Sequence, residues 1–378
     1  MLDDNNLRMK KITLFITSLS SGGAEHQLVI LSDLLNKNGY NVSIVTFSDM
    51  EDHYCVPKGV NRFVIAKGKC KTFKLLSIWK YFLFNKNDVV ISFGQRENFL
   101  CLLPLIFNRK PIVISGERNV TQKKNIIEKL LINLLYFRSN WIVPNSHTQG
   151  RYLSGKSAYI AKKIKVITNY TNLNEYNYSY HSHKGLYKIG VFCRYNAQKN
   201  TERFALAIKK LKEQVGNVFQ IDWYGDIMFK DQSLQPIYVE FCSLIKNYGI
   251  GDVLKLHGKT NKVNDLMKQY DAICLPSLFE GFSNTLSEAI CCGKICIASN
   301  VSDNPLMVEE GVNGFLFNPK SVDEIVDAFI RYFSTSNEAL EKMSRQSRMK
   351  AEKLFDSTLF INSYIKCIEN RHKDENHN

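Results

Sequence analysis

The sequence of 378 residues lacks an apolar run long enough to cross a bilayer as a helix. The strongest candidate, Phe99 to Phe107, is short and contains Pro104. A secretory signal peptide is not expected, because Asp3 and Asp4 spoil the basic start and no clear cleavage site follows Ile12 to Leu19. We therefore expect a cytoplasmic protein.

Patterns of metal binding and disulfide bonding are also missing. The ten cysteines include no Cys-x-x-Cys pair and no His/Cys cluster at zinc spacing. They are expected to be reduced core residues of a cytosolic protein. Because no Asp-x-Asp pair suited to bridging a cation is present, neither a metal nor another cofactor is expected.

Acidic residues are scarce in the first half of the chain. Residues 1–184 contain 26 Lys and Arg against 12 Asp and Glu, whereas residues 185–378 contain 24 of each class. The first half therefore carries the whole formal charge of +14, which indicates an anionic partner that meets one domain only. Nucleic acid is not expected as that partner, since no nucleic-acid-binding module is evident.

Length and an apolar content of 44% predict an ordinary globular protein of about two domains. Strands alternate with helical segments in both halves, which is typical of parallel, doubly wound α/β sheets. The alternation stops at 171–184, where Asn, Tyr, Ser and His dominate, so a linker is placed there.

The most informative stretch, residues 276–294, lies between two predicted strands. Ser283 and Asn284 are favourable N-caps for a helix that ends near Cys292. Gly281 allows a sharp turn before that helix, and Gly293 suits its C-terminus. The first-turn N–H groups and the helix dipole make this arrangement a candidate phosphate site.

Two glutamates flank the candidate phosphate site, Glu280 in the loop and Glu288 about one turn into the helix. Carboxylates are poor phosphate ligands but good acceptors for hydroxyl groups. A nucleotide-sugar, which carries phosphate between two polyols, would satisfy both features. The alternative is that Glu288 is a solvated helix residue that the dipole favours.

Two more strand-to-helix loops could bind an anion. Gly22 and Gly23 precede the first helix, without the Gly-x-Gly-x-x-Gly spacing of a dinucleotide site. Arg194 and Lys199 could clamp a diphosphate, the arginine through its bidentate fork and the lysine as a point charge. A tight turn and a solvated basic loop are the respective structural alternatives.

The stretch 276–294 resembles the Glu-Gly-Phe…Glu-Ala…Gly signature of retaining glycosyltransferases of family 4, which have the GT-B fold. In that family the first glutamate meets the donor sugar, the second holds the nucleotide ribose, and backbone amides hold the sugar and the diphosphate. The resemblance therefore implies a catalytic Glu280 and a set of donor-binding positions, namely Gly281, Phe282, Ser283, Asn284, Thr285 and Glu288.

The resemblance extends to the Arg194–Lys199 loop, which matches the family's grip on the donor pyrophosphate. Both residues are thus implied to be catalytic, although Cys193 and Asn200 replace the usual glycines. Leu306 stands where many members carry a glutamate.

In the first half the resemblance is looser. Gly22 and Gly23 are similar to the loop that faces the donor diphosphate and the acceptor, with Glu25 on the acceptor side. Glu117 and Arg118 resemble a Glu-Arg-Asn found near the acceptor in some members. Capping and turn chemistry would explain these polar residues equally well.

The implied fold is α/β, of the GT-B type, with two Rossmann-like doubly wound parallel-sheet domains and a cleft between them. Residues 1–180 would form the acceptor-side domain and residues 185–355 the nucleotide-sugar domain. Residues 356–370 would form a helix that crosses back to the first domain, and the polar tail 371–378 is expected to be disordered.

The implied function is transfer of a hexosyl-type sugar from a nucleotide-sugar, with UDP the expected nucleotide, to a hydroxyl of a lipid-linked glycan. The expected setting is bacterial surface polysaccharide biosynthesis, such as lipopolysaccharide O-antigen or capsule. Three alternatives stay open: a nucleotide-sugar epimerase of the same fold, a non-catalytic nucleotide-sugar binder and a nucleic-acid-binding protein.

Two basic helical segments with apolar faces, 71–86 and 123–138, could lie in an anionic membrane interface or simply pack on the sheet. Trp79 and the phenylalanines around it would anchor the first, and Lys123 and Lys124 contribute charge to the second. Together with the surplus charge, these segments predict a peripheral protein on the inner face of the cytoplasmic membrane.

Overall fold

The computed structural model describes residues 10–370 apart from 21, 48–51, 66–67, 69–70, 119–132, 134, 182–184 and 230–232. The tail expected to be disordered, and Lys123 and Lys124, lie outside the described residues. Two compact units are present. Unit 1 comprises residues up to 170 together with those from 357 onward, and unit 2 comprises residues 171–356.

Unit 1 is built on a six-stranded sheet. Its strands are β1 (Lys11–Phe15), β2 (Asn41–Thr46), β3 (Asn61–Val64), β4 (Val89–Phe93), β5 (Ile112–Glu117) and β6 (Trp141–Pro144). Its order is β3-β2-β1-β4-β5-β6, and all neighbours are parallel. The described helices that connect these strands and follow β6 are α1 (Gly23–Lys37), α2 (Lys71–Phe84), α3 (Gln95–Leu105), α4 (His147–Ser154) and α5 (Ala158–Lys162).

Unit 2 repeats this plan. Its strands are β7 (Tyr187–Phe192), β8 (Phe219–Tyr224), β9 (Leu254–His257), β10 (Ala272–Leu275), β11 (Ile295–Ser299) and β12 (Gly314–Phe317). The order β12-β11-β10-β7-β8-β9 is again all parallel. Its helices are α6 (Thr201–Val215), α7 (Pro236–Tyr248), α8 (Val263–Met267), α9 (Asn284–Cys291), α10 (Asn304–Met307), α11 (Val322–Phe333) and α12 (Asn337–Leu354).

The predicted parallel, doubly wound α/β class is confirmed in both units. The reason is visible in strands such as β7 and β11, whose residues are almost all buried, as strands covered by helices on both faces require. Strand β12 was missed, because it starts at Gly314 directly after Gly311 and Asn313, residues that are typical of a loop. Only in the fold do Phe315 and Phe317 enter the core of unit 2.

The segment proposed as a linker contributes to unit 2 from Thr171 onward. Its polar residues have specific partners: the Tyr176 carbonyl accepts from Arg348 Nη1 at 2.6 Å, and the Ser179 N–H donates to the Cys292 carbonyl at 3.0 Å. The described part of this segment is therefore a packed strap, and unit 2 begins at Thr171, 14 residues before the expected start at 185.

The last described helix, α13 (Ser357–Glu369), is part of unit 1. The Tyr364 hydroxyl accepts a 2.7 Å hydrogen bond from Arg118 Nη2, and Phe360 stacks on Tyr170 at 5.4 Å between ring centroids. The chain thus returns from unit 2 to complete the core of unit 1.

The described cysteines form no disulfide, as expected of reduced thiols. The expectation that they are core residues is wrong for Cys55 and Cys242, which are exposed. In the described part of the chain, no helix has the length and apolar character needed to cross a membrane.

Candidate active site

Helix α9 starts where the sequence predicts. The side chain of Ser283 caps it, accepting a 3.3 Å hydrogen bond from the Leu286 N–H, and the Ser283 carbonyl accepts from the Ser287 N–H at 3.1 Å. These bonds satisfy two donors of the first turn. The N–H of Thr285 has no acceptor among the described residues, so an N–H donor remains for an anion.

The end of α9 is held by a glycine, as predicted. Gly293 has φ of 72°, and its N–H donates to the Ile290 carbonyl at 3.0 Å while the Lys294 N–H reaches the Ala289 carbonyl at 2.9 Å. This is the Schellman arrangement, which requires a residue tolerant of positive φ. Gly281 has no such φ, so the turn before α9 does not depend on left-handed backbone there.

The central feature of the site is an ion pair between Lys199 and Glu280. Lys199 Nζ lies 2.5 Å from Glu280 Oε1, and the two side chains are only 12% and 11% exposed. Lys199 ends a 3-10 turn after β7, and Glu280 lies in the loop after β10. Since β7 and β10 are neighbours in the sheet, their loops meet at its carboxyl edge, where ligands of such sheets bind.

Two residues that the sequence did not single out hold the Glu280 loop in place. Gln198 bonds it twice, accepting from the Leu278 N–H at 2.8 Å and donating from Nε2 to the Phe279 carbonyl at 2.7 Å. The Glu280 N–H donates to Ser302 Oγ at 3.2 Å.

The sequence carried a signal for only one of these two residues. Gln198 could have been noticed, because it lies between the two cations of a candidate diphosphate loop. Ser302 carried no signal: its φ of 52° is uncommon for serine, and its partner is distant in sequence.

The replacement of a family glycine by Asn200 leaves the loop backbone intact. Asn200 adopts the left-handed conformation, with φ of 61° and ψ of 36°, which asparagine tolerates better than most residues. Its side-chain amide donates to the Pro319 carbonyl at 2.7 Å. At the neighbouring substitution, Cys193, burial raises the pKa of the thiol to about 12, which disfavours the nucleophilic thiolate.

Arg194 is exposed, and within the described residues it makes no hydrogen bond or ion pair. The structure thus joins Lys199 directly to Glu280 and leaves the arginine as an available cation at the same loop. A fully charged guanidinium that no carboxylate neutralises is suited to bind an incoming diphosphate.

Glu288 is not the solvated residue of the alternative interpretation. It is half-buried on α9, and no described residue forms a hydrogen bond with its carboxylate. Burial, together with the smaller effect of the nearby Glu175 carboxylate, raises its pKa to about 7. A desolvated carboxylate without a partner is a ready acceptor for ligand hydroxyl groups.

Other donor-binding candidates have side chains engaged within unit 2. The Thr285 hydroxyl donates to the Phe192 carbonyl at 2.8 Å, tying α9 to β7. Phe282 is buried with its ring edge to Phe355, at 6.3 Å between centroids. The hydroxyl proton of Thr285 and the ring of Phe282 are therefore already engaged within unit 2. Asn284 is half-buried as the first residue of α9.

In unit 1, Gly22 is the N-cap of α1, Gly23 is the first residue of that helix, and Glu25 is its third. A side chain at position 22 would collide with the Glu25 carboxylate, so this glycine permits the close approach. The same Gly-x-x-Glu pattern begins α3 with Gly94 and Glu97, which the sequence interpretation missed. The capping-box spacing was the signal that could have revealed it.

Glu117 and Arg118 are both buried. Glu117 accepts hydrogen bonds from Gln95 Nε2 at 3.0 Å, from Asn98 Nδ2 at 3.3 Å and from the Tyr136 hydroxyl. These contacts lie in the interior of unit 1, so they give the Glu117 carboxylate a structural role.

The Arg118 guanidinium lies 3.6 Å from the centre of the Phe93 ring and donates to Asn169 Oδ1 at 3.2 Å as well as to α13. It thus ties α13 to the end of β4. Among the residues that the structure describes, no group of three or more His, Cys, Asp or Glu is arranged to hold a metal ion.

Residues 179–350 match the model of the family described as Glycosyl transferases group 1. An N-acetylgalactosamine-N,N'-diacetylbacillosaminyl-diphospho-undecaprenol 4-alpha-N-acetylgalactosaminyltransferase of Campylobacter jejuni is 26% identical over 304 residues, 75% of this chain and 79% of that protein. A UDP-Gal:alpha-D-GlcNAc-diphosphoundecaprenol alpha-1,3-galactosyltransferase of Escherichia coli is 28% identical over 297 residues, 73% of each protein.

Several solved structures of other proteins have the same fold. A glycosyltransferase from Rickettsia africae superposes with a TM-score of 0.80 at 16% identity, covering 97% of this chain and 100% of that chain. HepE of Anabaena, solved with UDP and glucose, superposes with a TM-score of 0.79 at 19% identity, covering 95% and 99%. The fold is therefore GT-B, and residues 179–350 are similar to the glycosyl transferases of group 1.

Proposed function

We propose that the chain is a retaining glycosyltransferase of family 4 that transfers a sugar from a UDP-sugar to a hydroxyl of a lipid-diphosphate-linked glycan. Its setting would be bacterial surface polysaccharide synthesis, of O-antigen, capsule or a similar polymer, at the inner face of the cytoplasmic membrane. The acceptor class is supported by the two relatives above, whose names specify diphospho-undecaprenol-linked sugars.

The observation that carries the proposal is the buried Lys199–Glu280 pair at the carboxyl edge of the unit 2 sheet. A buried ion pair is a weak source of stability, because desolvation of both charges offsets their attraction. Its position near the N-terminus of α9 and the exposed cation of Arg194 favours a role in binding a ligand that is both anionic and rich in hydroxyl groups.

Without a ligand, Lys199 and Glu280 neutralise each other. A nucleotide-sugar would supply each with a new partner: the diphosphate for Lys199, and a sugar hydroxyl for Glu280. Arg194 would add a second positive charge on the diphosphate. Two fixed cations near the leaving group stabilise the negative charge that develops as the glycosidic bond to the phosphate breaks.

The other residues of the site position the donor. Gln198 and Ser302 keep the Glu280 loop in one conformation, and the Glu288 carboxylate would accept hydrogen bonds from the ribose hydroxyls. Holding the donor rigidly removes part of the entropic barrier to transfer. The acceptor hydroxyl then attacks on the face from which the nucleoside diphosphate leaves, and its proton passes to the departing phosphate oxygen. Attack on that face preserves the anomeric configuration.

The experiment that tests this function is an assay of the purified protein with a panel of nucleotide-sugars and lipid-diphosphate-linked acceptors, scored by product mass. NMR of the product reports whether the anomeric configuration is retained. An epimerised sugar with free nucleotide in the absence of acceptor would instead identify an epimerase. Donor binding without any product would identify a non-catalytic binder.

Turnover is expected to be independent of divalent cations, because Arg194 and Lys199 can neutralise the leaving diphosphate. Rates measured in EDTA and in magnesium should agree once ionic strength is matched. A rate that is lost in EDTA and restored by magnesium or another divalent cation would contradict this part of the proposal.

Arg194→Ala and Lys199→Ala are each expected to lower kcat/KM, and their effects should not add in free energy, since both residues would act on one diphosphate. A double-mutant cycle on kcat/KM measures the coupling. If the double variant loses the simple sum of the two single effects, the residues do not share a ligand. Arg345→Ala, at an exposed arginine of α12, is the matched control.

A further inference from the structure

Helix α2 of unit 1 has one face in the core. Ile78 and Phe82, four residues apart, are almost completely buried, and Phe82 meets Phe15 of β1 edge to face at 5.0 Å between ring centroids. These contacts fix the rotation of the helix about its axis. Every other face of α2 is therefore determined by its spacing from these two residues.

The outward face of α2 is apolar, contrary to what a helix on a solvated surface requires. Phe73, Leu76 and Phe84 are 60%, 65% and 75% exposed, and they recur at helical spacing with Lys80 between them. Single exposed apolar side chains are ordinary, but several large ones in a row on one helix face indicate a surface that binds something.

A second segment extends this surface. Phe107, which follows α3, is 72% exposed and lies against Trp79 of α2, with 6.3 Å between ring centroids. The next residue, Asn108, donates from its side chain to the carbonyls of Phe82 and Leu83 at 3.0 and 3.3 Å. The end of α3 is thus attached to the end of α2, and Phe107 is held at a defined place.

The charged residues within the two segments that form this surface have one sign. Lys80, Lys86 and Arg109 are exposed, and none of them has a hydrogen bond or ion pair within the described residues. No acidic residue occurs at 71–87 or at 106–110. We call this surface the aromatic-basic face, and it consists of Phe73, Leu76, Lys80, Phe84, Lys86, Phe107 and Arg109.

We propose that the aromatic-basic face docks on an anionic lipid surface, with its aromatic rings at the acyl boundary and its cations on the head groups. Charge decides between lipid and a second copy of the chain. A two-fold symmetric contact would bring the unpaired cations of one copy against those of the other, whereas anionic head groups complement all of them.

This inference rests on the proposed function only for its setting, a reaction on lipid-linked acceptors. It specifies what that proposal leaves open, namely the surface of unit 1 that meets the bilayer. The site residues discussed above lie elsewhere in the chain, so docking and catalysis can be tested separately.

The test is co-sedimentation of the full chain with phosphatidylcholine vesicles that contain or lack phosphatidylglycerol. Wild type should bind the anionic vesicles and be released as salt rises. Each basic residue near such a surface contributes about fivefold to partitioning, so Lys80→Glu with Lys86→Glu should lower it about 30-fold or more. Phe84→Ser with Phe107→Ser should lower it about tenfold or more, since two large apolar contacts are lost.

Matched controls lie in unit 2. Lys246→Glu with Lys255→Glu changes the net charge equally at two exposed lysines, and Phe229→Ser removes an exposed aromatic ring. Both should bind vesicles as wild type does. Equal losses in the controls would show a non-specific charge effect and overturn the assignment, as would absence of wild-type binding. Self-association in the absence of lipid that Phe84→Ser abolishes would assign the face to a second copy instead.

Turnover with a water-soluble acceptor separates the two proposals. The variants of the aromatic-basic face should keep the wild-type rate on such an acceptor while losing vesicle binding. Vesicle binding by a protein that transfers no sugar would leave docking intact and refute the proposed function. Full activity by a protein that does not bind anionic vesicles would refute docking and leave the proposed function intact.

Discussion

Lys199→Ala should lower kcat about 100- to 1000-fold, the range seen when one fixed donor to a developing negative charge is removed. It should also lower the free energy of unfolding by about 3 kcal/mol or more, because the buried Glu280 carboxylate is left without its partner at 2.5 Å. Steady-state kinetics at saturating donor and denaturant titration measure the two effects.

A second substitution separates stability from catalysis. Lys199→Ala with Glu280→Gln removes the unpaired charge, so much of the lost stability should return while kcat stays low. Lys210→Ala is the matched control, since its 2.9 Å ion pair with Asp323 is exposed and worth less than about 1 kcal/mol. Wild-type turnover in Lys199→Ala would remove this lysine from the mechanism.

Donor affinity should fall as the pH is lowered through 7, and Glu288 is the cause. Burial raises the pKa of its carboxyl to about 7, and only the ionised form accepts hydrogen bonds at both oxygens. One required deprotonation predicts a loss of about tenfold in affinity per pH unit below the pKa. Glu288→Gln should bind the nucleotide-sugar about ten- to 100-fold more weakly at pH 8 and lack this pH dependence. Calorimetric titration with the donor between about pH 5.5 and 8.5 checks both expectations, because this range lies on both sides of the pKa of Glu288.

The Glu288 carboxyl also makes the stability of the fold depend on pH. Stability falls as pH rises, whereas donor affinity increases. The pKa of this carboxyl is higher in the folded protein than in the unfolded chain, so folding takes up a proton between about pH 4.5 and 7 and stability declines as pH rises through that window. Without donor at pH 8, Glu288→Gln should therefore be more stable than wild type, by about 2–3 kcal/mol, and the difference should vanish near pH 4. Glu202→Gln, at an exposed position of α6, is the control. A destabilised Glu288→Gln at pH 8 would mean that the carboxylate has a structural partner.

Helix α9 shows most clearly what can be predicted from the sequence. Its N-cap Ser283 and the Gly293 that ends it are local devices, encoded within a few neighbouring residues, and both were predicted. The parallel, doubly wound class was also within reach, because it follows from the alternation of apolar strand and helix periods along the chain.

Short or irregular elements were beyond such reasoning. Strand β12 starts at Gly314 in a stretch that is typical of a loop, and the strap that begins unit 2 has a polar composition that resembles a linker. Each owes its place to partners distant in sequence, such as Arg348 for the Tyr176 carbonyl.

The sequence by itself determined the identity of the charged residues at the candidate site and the loops that carry them. Only the tertiary structure decided how those charges are paired. It joins Lys199 to Glu280 across 81 positions of the chain, leaves Arg194 exposed, and buries Glu288 enough to raise its pKa to about 7. Pairing and desolvation depend on which strands become neighbours in the sheet, and that is a property of the whole fold, which no local pattern records.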